Sequence, residues 1–173
     1  MQSLIVTKRS KYSVISVNDA KHFLKITTPE EDILIERMIE AASTSFESYT
    51  SRPLLVKEWK VTYKRTTHVE LILPVRYVQK VKSINLTTAC GNKQELPPKA
   101  FCLMGDNRLL FRTLTMSELM EILFEAGMAH TPEELPANIK EALLEHVAHM
   151  YAHRSSCKPF PLRRYDSFRE VMI

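Results

Sequence analysis

The chain has 173 residues, 45% hydrophobic and 25% charged, with a net charge of +4 and a pI near 9.0. That length suits one domain able to bury roughly two-thirds of its unfolded surface, and the composition is that of an ordinary globular protein. The mildly basic balance permits contact with nucleic acid without requiring it, and no apolar run is long enough to span a membrane.

Residues 1–15 read as an extended arm with a short strand at Leu4–Val6. Ser16 is placed to cap a first helix, about 17–26, with Asp19 at its third position. The stretch from Thr28 to Pro53 predicts a second, longer helix, about 29–50. Thr28 and Glu31 have capping-box spacing, Pro29 stands at the first helical position, and Glu30, Glu31 and Asp32 favour the positive end of the dipole. Ile35, Ile39, Ala42, Phe46 and Tyr49 form its apolar stripe. Pro53 bars further helix.

The period then changes to two. Trp59, Val61 and Tyr63 alternate with Glu58, Lys60, Thr62 and Lys64, as in a half-buried strand. Further strands are predicted at 69–73, 78–86, 100–104 and 108–112, with Gly105-Asp106-Asn107 as a hairpin turn. Residues 117–126 suit either a helix or a strand, and their place after a run of hairpins favours the strand. A last helix, about 136–155, follows Pro136, with Ile139, Leu143, Val147, Met150 and Tyr151 facing inward. Strands grouped between helices indicate α+β. The reading is a single domain over 1–155, in which an N-terminal helical hairpin and the C-terminal helix pack together around an antiparallel β insert at 54–126. A tail, 156–173, follows.

Few residues suggest chemistry. His146, His149 and His153 share one stripe of the last helix, but the metalloprotease pattern of histidines four apart around a glutamate is absent, and no metal site is assigned. Cys90, Cys102 and Cys157 have no metal-like spacing and no adjacent pattern of a nucleophile, which fits free thiols in a reducing compartment. The opening MQSLIVTKRSKY has too short an apolar core for a signal peptide, so a cytosolic origin is expected. Gly91, Gly105 and Gly127 form no phosphate loop. The acidic clusters at 30–32 and 133–134 lie at helix starts, where the dipole accounts for them. No catalytic residue and no cofactor are expected. In the tail, Phe160, Leu162, Arg163, Arg164, Tyr165, Phe168 and Arg169 combine aromatics with arginines, the usual anchors of protein interfaces. This favours a docking segment over a solvated terminus or a nucleic-acid arm.

Taken together, SVNDAKHFLKI, Tyr49-Thr50-Ser51-Arg52-Pro53-Leu54, Leu73-Pro74 with Val81 to Ile84, and the run from Ala126 through LPANIKEALLEHVAHMY to Tyr151 resemble the head–tail connector (adaptor) family of long-tailed phages, prophages and gene transfer agents. The resemblance covers about 14–155. It implies a structural virion protein, not an enzyme, at the head–tail junction, made in the bacterial cytoplasm and assembled as a ring, typically of twelve copies. Such a ring binds the portal protein, seats a stopper or tail-completion protein, and passes double-stranded DNA without reading its sequence. It also implies that the tail docks on the portal. The polar face of the second helix, with Glu36, Arg37, Glu40 and Glu47, is then available to a neighbouring subunit. The alternative is a small basic DNA-binding protein.

Overall fold

The computed structural model describes residues 3–156 and 158–169, and the side chains of these except 65–68 and 113–116. The chain combines helices with an antiparallel sheet, as expected of an α+β protein. Its contacts divide it into two compact units. Met1–Ser10 with Val56–Met128 form a sheet unit, and Lys11–Leu55 with Ala129–Ile173 form a helical unit. The boundaries therefore differ from one domain plus a tail. The N-terminal arm joins the β insert because its strand pairs there, and the tail joins the helices because its aromatics are buried among them.

The sheet unit contains β1 (Ser3–Lys8), β2 (Lys57–Ile72), β3 (Val78–Thr87), β4 (Lys93–Glu95), β5 (Phe101–Met104) and β6 (Arg108–Ala126). Its order is β1-β2-β6-β3-β4, with β5 also on β6. Segments read as separate strands around Glu58–Lys64 and at 69–73 are one strand, β2, and those at 108–112 and 117–126 are one strand, β6. The stretch 117–126 is strand. The alternation of Trp59, Val61 and Tyr63 sets the register. Leu4, Val61, Ile122 and Ile84 stand in one cross-strand row, and Val6, Trp59, Phe124 and Val81 in the next. Such facing apolar pairs are the unit of sheet stability.

The pairing of β2 with β6 shifts between His68 and Glu70. Beyond it Leu71, Leu109 and Phe111 return to the same core as Val61, Ile84 and Met120. The turn closes this curl: Leu73 N–H donates to Asn107 O and Val78 N–H to Asp106 O, both at 2.8 Å. Gly105 takes φ +59 there, a conformation that suits glycine. On the outer face, Lys60 pairs with Glu121, and Lys82 with Glu58 and with Glu125 at 2.8 Å. The unit holds thirteen basic and seven acidic residues, against eleven and thirteen in the helical unit.

The helical unit contains α1 (Val17–Leu24), α2 (Asp32–Thr50) and α3 (Ala137–Ala152), with 3-10 turns at Pro29–Glu31 and Leu162–Phe168 among others. Ser16 caps α1 as its sequence indicates, its Oγ accepting from Asp19 N–H at 3.0 Å. Lys25 caps α1 in the left-handed conformation, φ 58, so the helix ends at Leu24, two residues short of the expected boundary. The Thr28 capping box does not form. Thr28 makes no side-chain cap, and a 3-10 turn precedes α2. Glu31 instead accepts from Tyr151 Oη and from Arg154 Nη1, the latter at 2.8 Å. These bonds join the start of α2 to the end of α3, so the two helices run antiparallel. Ile35, Ile39, Ala42 and Phe46 are buried, as are Ile139, Leu143 and Val147.

Candidate functional site

The richest polar and aromatic arrangement in the helical unit is the seat of the tail. Phe46, on the α2 stripe, meets Tyr165 edge-on with ring centroids 4.9 Å apart and Phe168 at 5.6 Å. On α3, His146 occupies a stripe position between Leu143 and Val147 and is 4% exposed. Phe160 stacks on its imidazole at 3.9 Å and 15°. Tyr165 is fully buried, and its hydroxyl lies 2.7 Å from His146 Nδ1. A buried hydroxyl and a buried imidazole that satisfy each other avoid the cost of two unpaired polar groups.

Ionic contacts surround this centre. Arg164 Nη1 donates to Glu145 at 2.7 Å, and its guanidinium lies 5.9 Å from the Phe160 ring centre. Tyr49 donates to Asp166, which raises the phenol pKa, while Arg169 lies over the Tyr49 ring. Burial pushes His146 down to about 4, with a smaller contribution from His149, so the ring is neutral near pH 7. Burial also lowers His149, helped by His153, Lys158 and Arg164. Burial raises the Tyr165 phenol, which therefore stays protonated.

The tail residues expected to meet a partner are thus divided. Phe160 and Tyr165 are used inside this unit, and Phe168 is half-buried against Phe46. Leu162, Arg163, Arg164 and Arg169 are exposed. Of the residues expected at a subunit contact, Glu36, Arg37 and Glu40 are exposed on α2. Glu47 differs, since its Oε1 accepts from Leu54 N–H at 2.9 Å and closes the exit from the helix. His146 was missed as the seat of the tail, although its spacing from Ile139 and Leu143 already placed it on the buried stripe. His149 and His153 lie side by side, with ring centroids 4.5 Å apart. His146 is turned to Tyr165, and among the described residues no group of three His, Cys, Asp or Glu is placed to hold a metal. Cys90 and Cys102 are exposed free thiols, and Cys157 lies outside the described residues. A separate open hollow of about 590 Å³ lies between residues 12–16 and Thr131, Pro132 and Glu133, with Asp19 and Lys140 on its walls.

The aromatic chemistry of this arrangement is that of packing. The model of the head completion protein (HCP) family matches residues 13–158. The chain belongs to the head completion protein family. The kinship with head–tail connectors read from residues 14–155 is borne out, and the family is a structural virion component. The fold of this head completion protein is similar to solved chains of gene transfer agent (GTA) particles. One comes from the virion of the native particle, with TM-score 0.83, 19% identity, and coverage of 100% of this chain and 97% of that one. Another comes from the neck of the empty particle computed with C6 symmetry, with TM-score 0.84, 19% identity, and 99% and 97% coverage. A third comes from the neck of the native particle computed with C12 symmetry, with TM-score 0.80, 17% identity, and 99% and 97% coverage. At such identities the likeness is one of fold. No curated protein matches the chain significantly.

Proposed function

We propose that this head completion protein is a structural subunit of a neck ring, seated on the portal and joining the DNA-filled head to the stopper or tail. The observation that carries the reading is the family match over 13–158, and the likeness of nearly the whole fold to GTA neck chains supports it. A ring subunit requires two unlike lateral surfaces and an axial one. The exposed tail residues Leu162, Arg163, Arg164 and Arg169 supply the axial surface toward the portal, while Phe160 and Tyr165 hold the tail in place. Packaged double-stranded DNA passes through the ring without being read. The sheet unit's basic surplus attracts phosphate generally, and the pairing of Lys60 and Lys82 with glutamates keeps that attraction from becoming a grip that would stall DNA.

The test mixes the full chain with the portal of the same particle and images the product by electron microscopy. A ring on the portal is expected. It should be lost with Arg163→Glu plus Arg169→Glu, which leave the buried anchors in place. Portals that stay bare with the unaltered chain would remove the neck reading. Rings that persist in the double variant would remove only the tail's role. The alternative of a DNA-binding protein rests on the basic surplus of the sheet unit, and DNA retardation that falls steeply with salt would favour it.

A further inference from the structure

Within the helical unit, the tail is the part that can leave while the rest stays packed. α2 and α3 meet through their own stripes, with Ile35, Ile39, Leu143 and Val147 buried. Glu31 ties their ends together through Tyr151 and Arg154. The tail returns to them through the 3-10 turn Leu162–Phe168. In that turn Arg164 N–H donates to Pro161 O and Arg169 N–H to Asp166 O, each at 3.0 Å. So short a turn has little stability of its own, and its side-chain contacts keep it seated. Segments of this kind open locally at lower free energy than the helices they cover.

What the tail covers is an imidazole. Phe160 lies flat on His146, and the Tyr165 hydroxyl meets its Nδ1. Phe160 also stands edge-on to His149, with ring centres 5.5 Å apart at 80°. His149 in turn lies beside His153, ring centres 4.5 Å apart. Charged and titratable groups approach this stack from several elements. α3 supplies Glu145, His149 and His153, and the tail supplies Lys158, Arg164 and Tyr165. α2 supplies the uncharged Phe46, and Tyr49, which donates to Asp166 and lies under Arg169. On α1, Lys21 is turned to Asp32. Glu145 is already bonded to Arg164 at 2.7 Å. A proton arriving on His146 therefore enters an apolar seat in which the nearby carboxylates are engaged and His149 is itself crowded by Lys158 and Arg164.

We infer that the tail is an acid-released latch: when His146 takes up a proton, the turn bearing Phe160 and Tyr165 lifts away and lets water reach the ring, while α2 and α3 remain packed. A charge in an apolar site must be hydrated or expelled. Water can reach this ring by loss of the tail's aromatic contacts or by parting of the two helices. The first route leaves both stripes and the Glu31 tie intact. The bond to Tyr165 does not resist the proton, because a phenol oxygen accepts from a charged imidazole as well as it donates to a neutral one. Burial decides the direction. The seated ring is held down near 4 and a lifted ring returns to about 6.5, so the latch is fully closed above the higher value and loosens as the pH falls toward the lower. Release frees Phe160, Tyr165 and Phe168 together, turning aromatics now spent on the chain itself into a segment another surface can bind.

The test is amide hydrogen exchange of the full chain, read by mass spectrometry at pH 7.5 and pH 5.0 and corrected for the intrinsic rate at each pH. Peptides covering 158–169 should lose protection by at least about tenfold at pH 5.0, the linkage expected of one such histidine. Peptides covering 137–144 of α3 should keep theirs. His146→Asn, verified as folded by circular dichroism, should show equal tail protection at both pH values. His149→Gln with His153→Gln leaves the buried ring in place and should retain the response. Three results would each overturn the latch: tail protection that does not change with pH in the unaltered chain, loss of protection in α3 together with the tail, or a response that survives in His146→Asn. A response lost in the His149 and His153 double variant would overturn it too, by moving the switch to the outer pair. None of these outcomes touches the neck reading.

Discussion

The pair His146 and Tyr165 joins the helices to the tail through one hydrogen bond and a shared aromatic cluster. Tyr165→Phe keeps the ring and removes the hydroxyl, leaving His146 Nδ1 buried without this partner. A loss of about 1–2 kcal/mol is expected, read from urea unfolding at pH 7. The same histidine makes stability depend on pH. Its folded pKa is depressed from 6.5 to about 4 by burial. Between those values the unfolded chain holds a proton that the folded chain lacks, so stability falls as the pH drops from about 6.5 toward 4 and levels off below. The loss amounts to about 3 kcal/mol from this group once the pH is below both values. His146→Asn should flatten that part of the profile, and an unchanged slope would locate the sensitivity elsewhere. Residue-scale reading of the sequence succeeded where partners are near. Ser16 and Asp19 are three apart, and their cap forms. It failed at Thr28 because Glu31 found Tyr151 and Arg154, more than a hundred residues away. No local rule weighs partners so distant.

At the scale of elements, α2 carries the helical unit, packing against α1, α3 and the tail turn. Its stripe was legible from spacing alone, since a helix shows its buried face in its period. What the stripe packs against was only partly legible. The aromatics of the tail were expected to meet a partner, and Phe160 and Tyr165 are packed against their own chain. Composition identifies a side chain that seeks burial and does not say where burial is found. Phe46→Ala removes the ring that both Tyr165 and Phe168 touch. It is expected to cost about 3–5 kcal/mol. Because the loss falls on the tail's seat, limited proteolysis should then cleave near 158–169 first. Equal resistance of that segment in the variant and the unaltered chain would show that Phe46 does not hold it.

On the scale of the whole molecule, the division into two units was not legible. Residues 1–10 and 11–15 read as one arm, and only the pairing of β1 with β2 separates them. The division gives each unit its own reporter. The single tryptophan, Trp59, belongs to the sheet unit, with its indole N–H donating to Ala126 O at 3.3 Å. Helical ellipticity arises from α1, α2 and α3 in the other unit. Since His146 lies in the helical unit, acid should act there first. At pH 4.5 the ellipticity at 222 nm should be lost at lower urea than the Trp59 fluorescence change, whereas at pH 7 the two curves should lie closer. Curves that shift together with pH would mean that the units unfold as one cooperative body.

β6 pairs with β2, β3 and β5, while among the described residues β2 and β3 do not pair with each other. On the ribosome this order carries a delay. β2 and β3 emerge as successive strands but must wait for the last strand of the unit before either gains its central partner. Synthesis at about 5–20 residues per second leaves both with open, apolar edges for seconds. The nascent sheet is thus most vulnerable to mispairing just before residue 126 leaves the exit tunnel. Pausing of translation before β6 would harm this protein more than pausing after it.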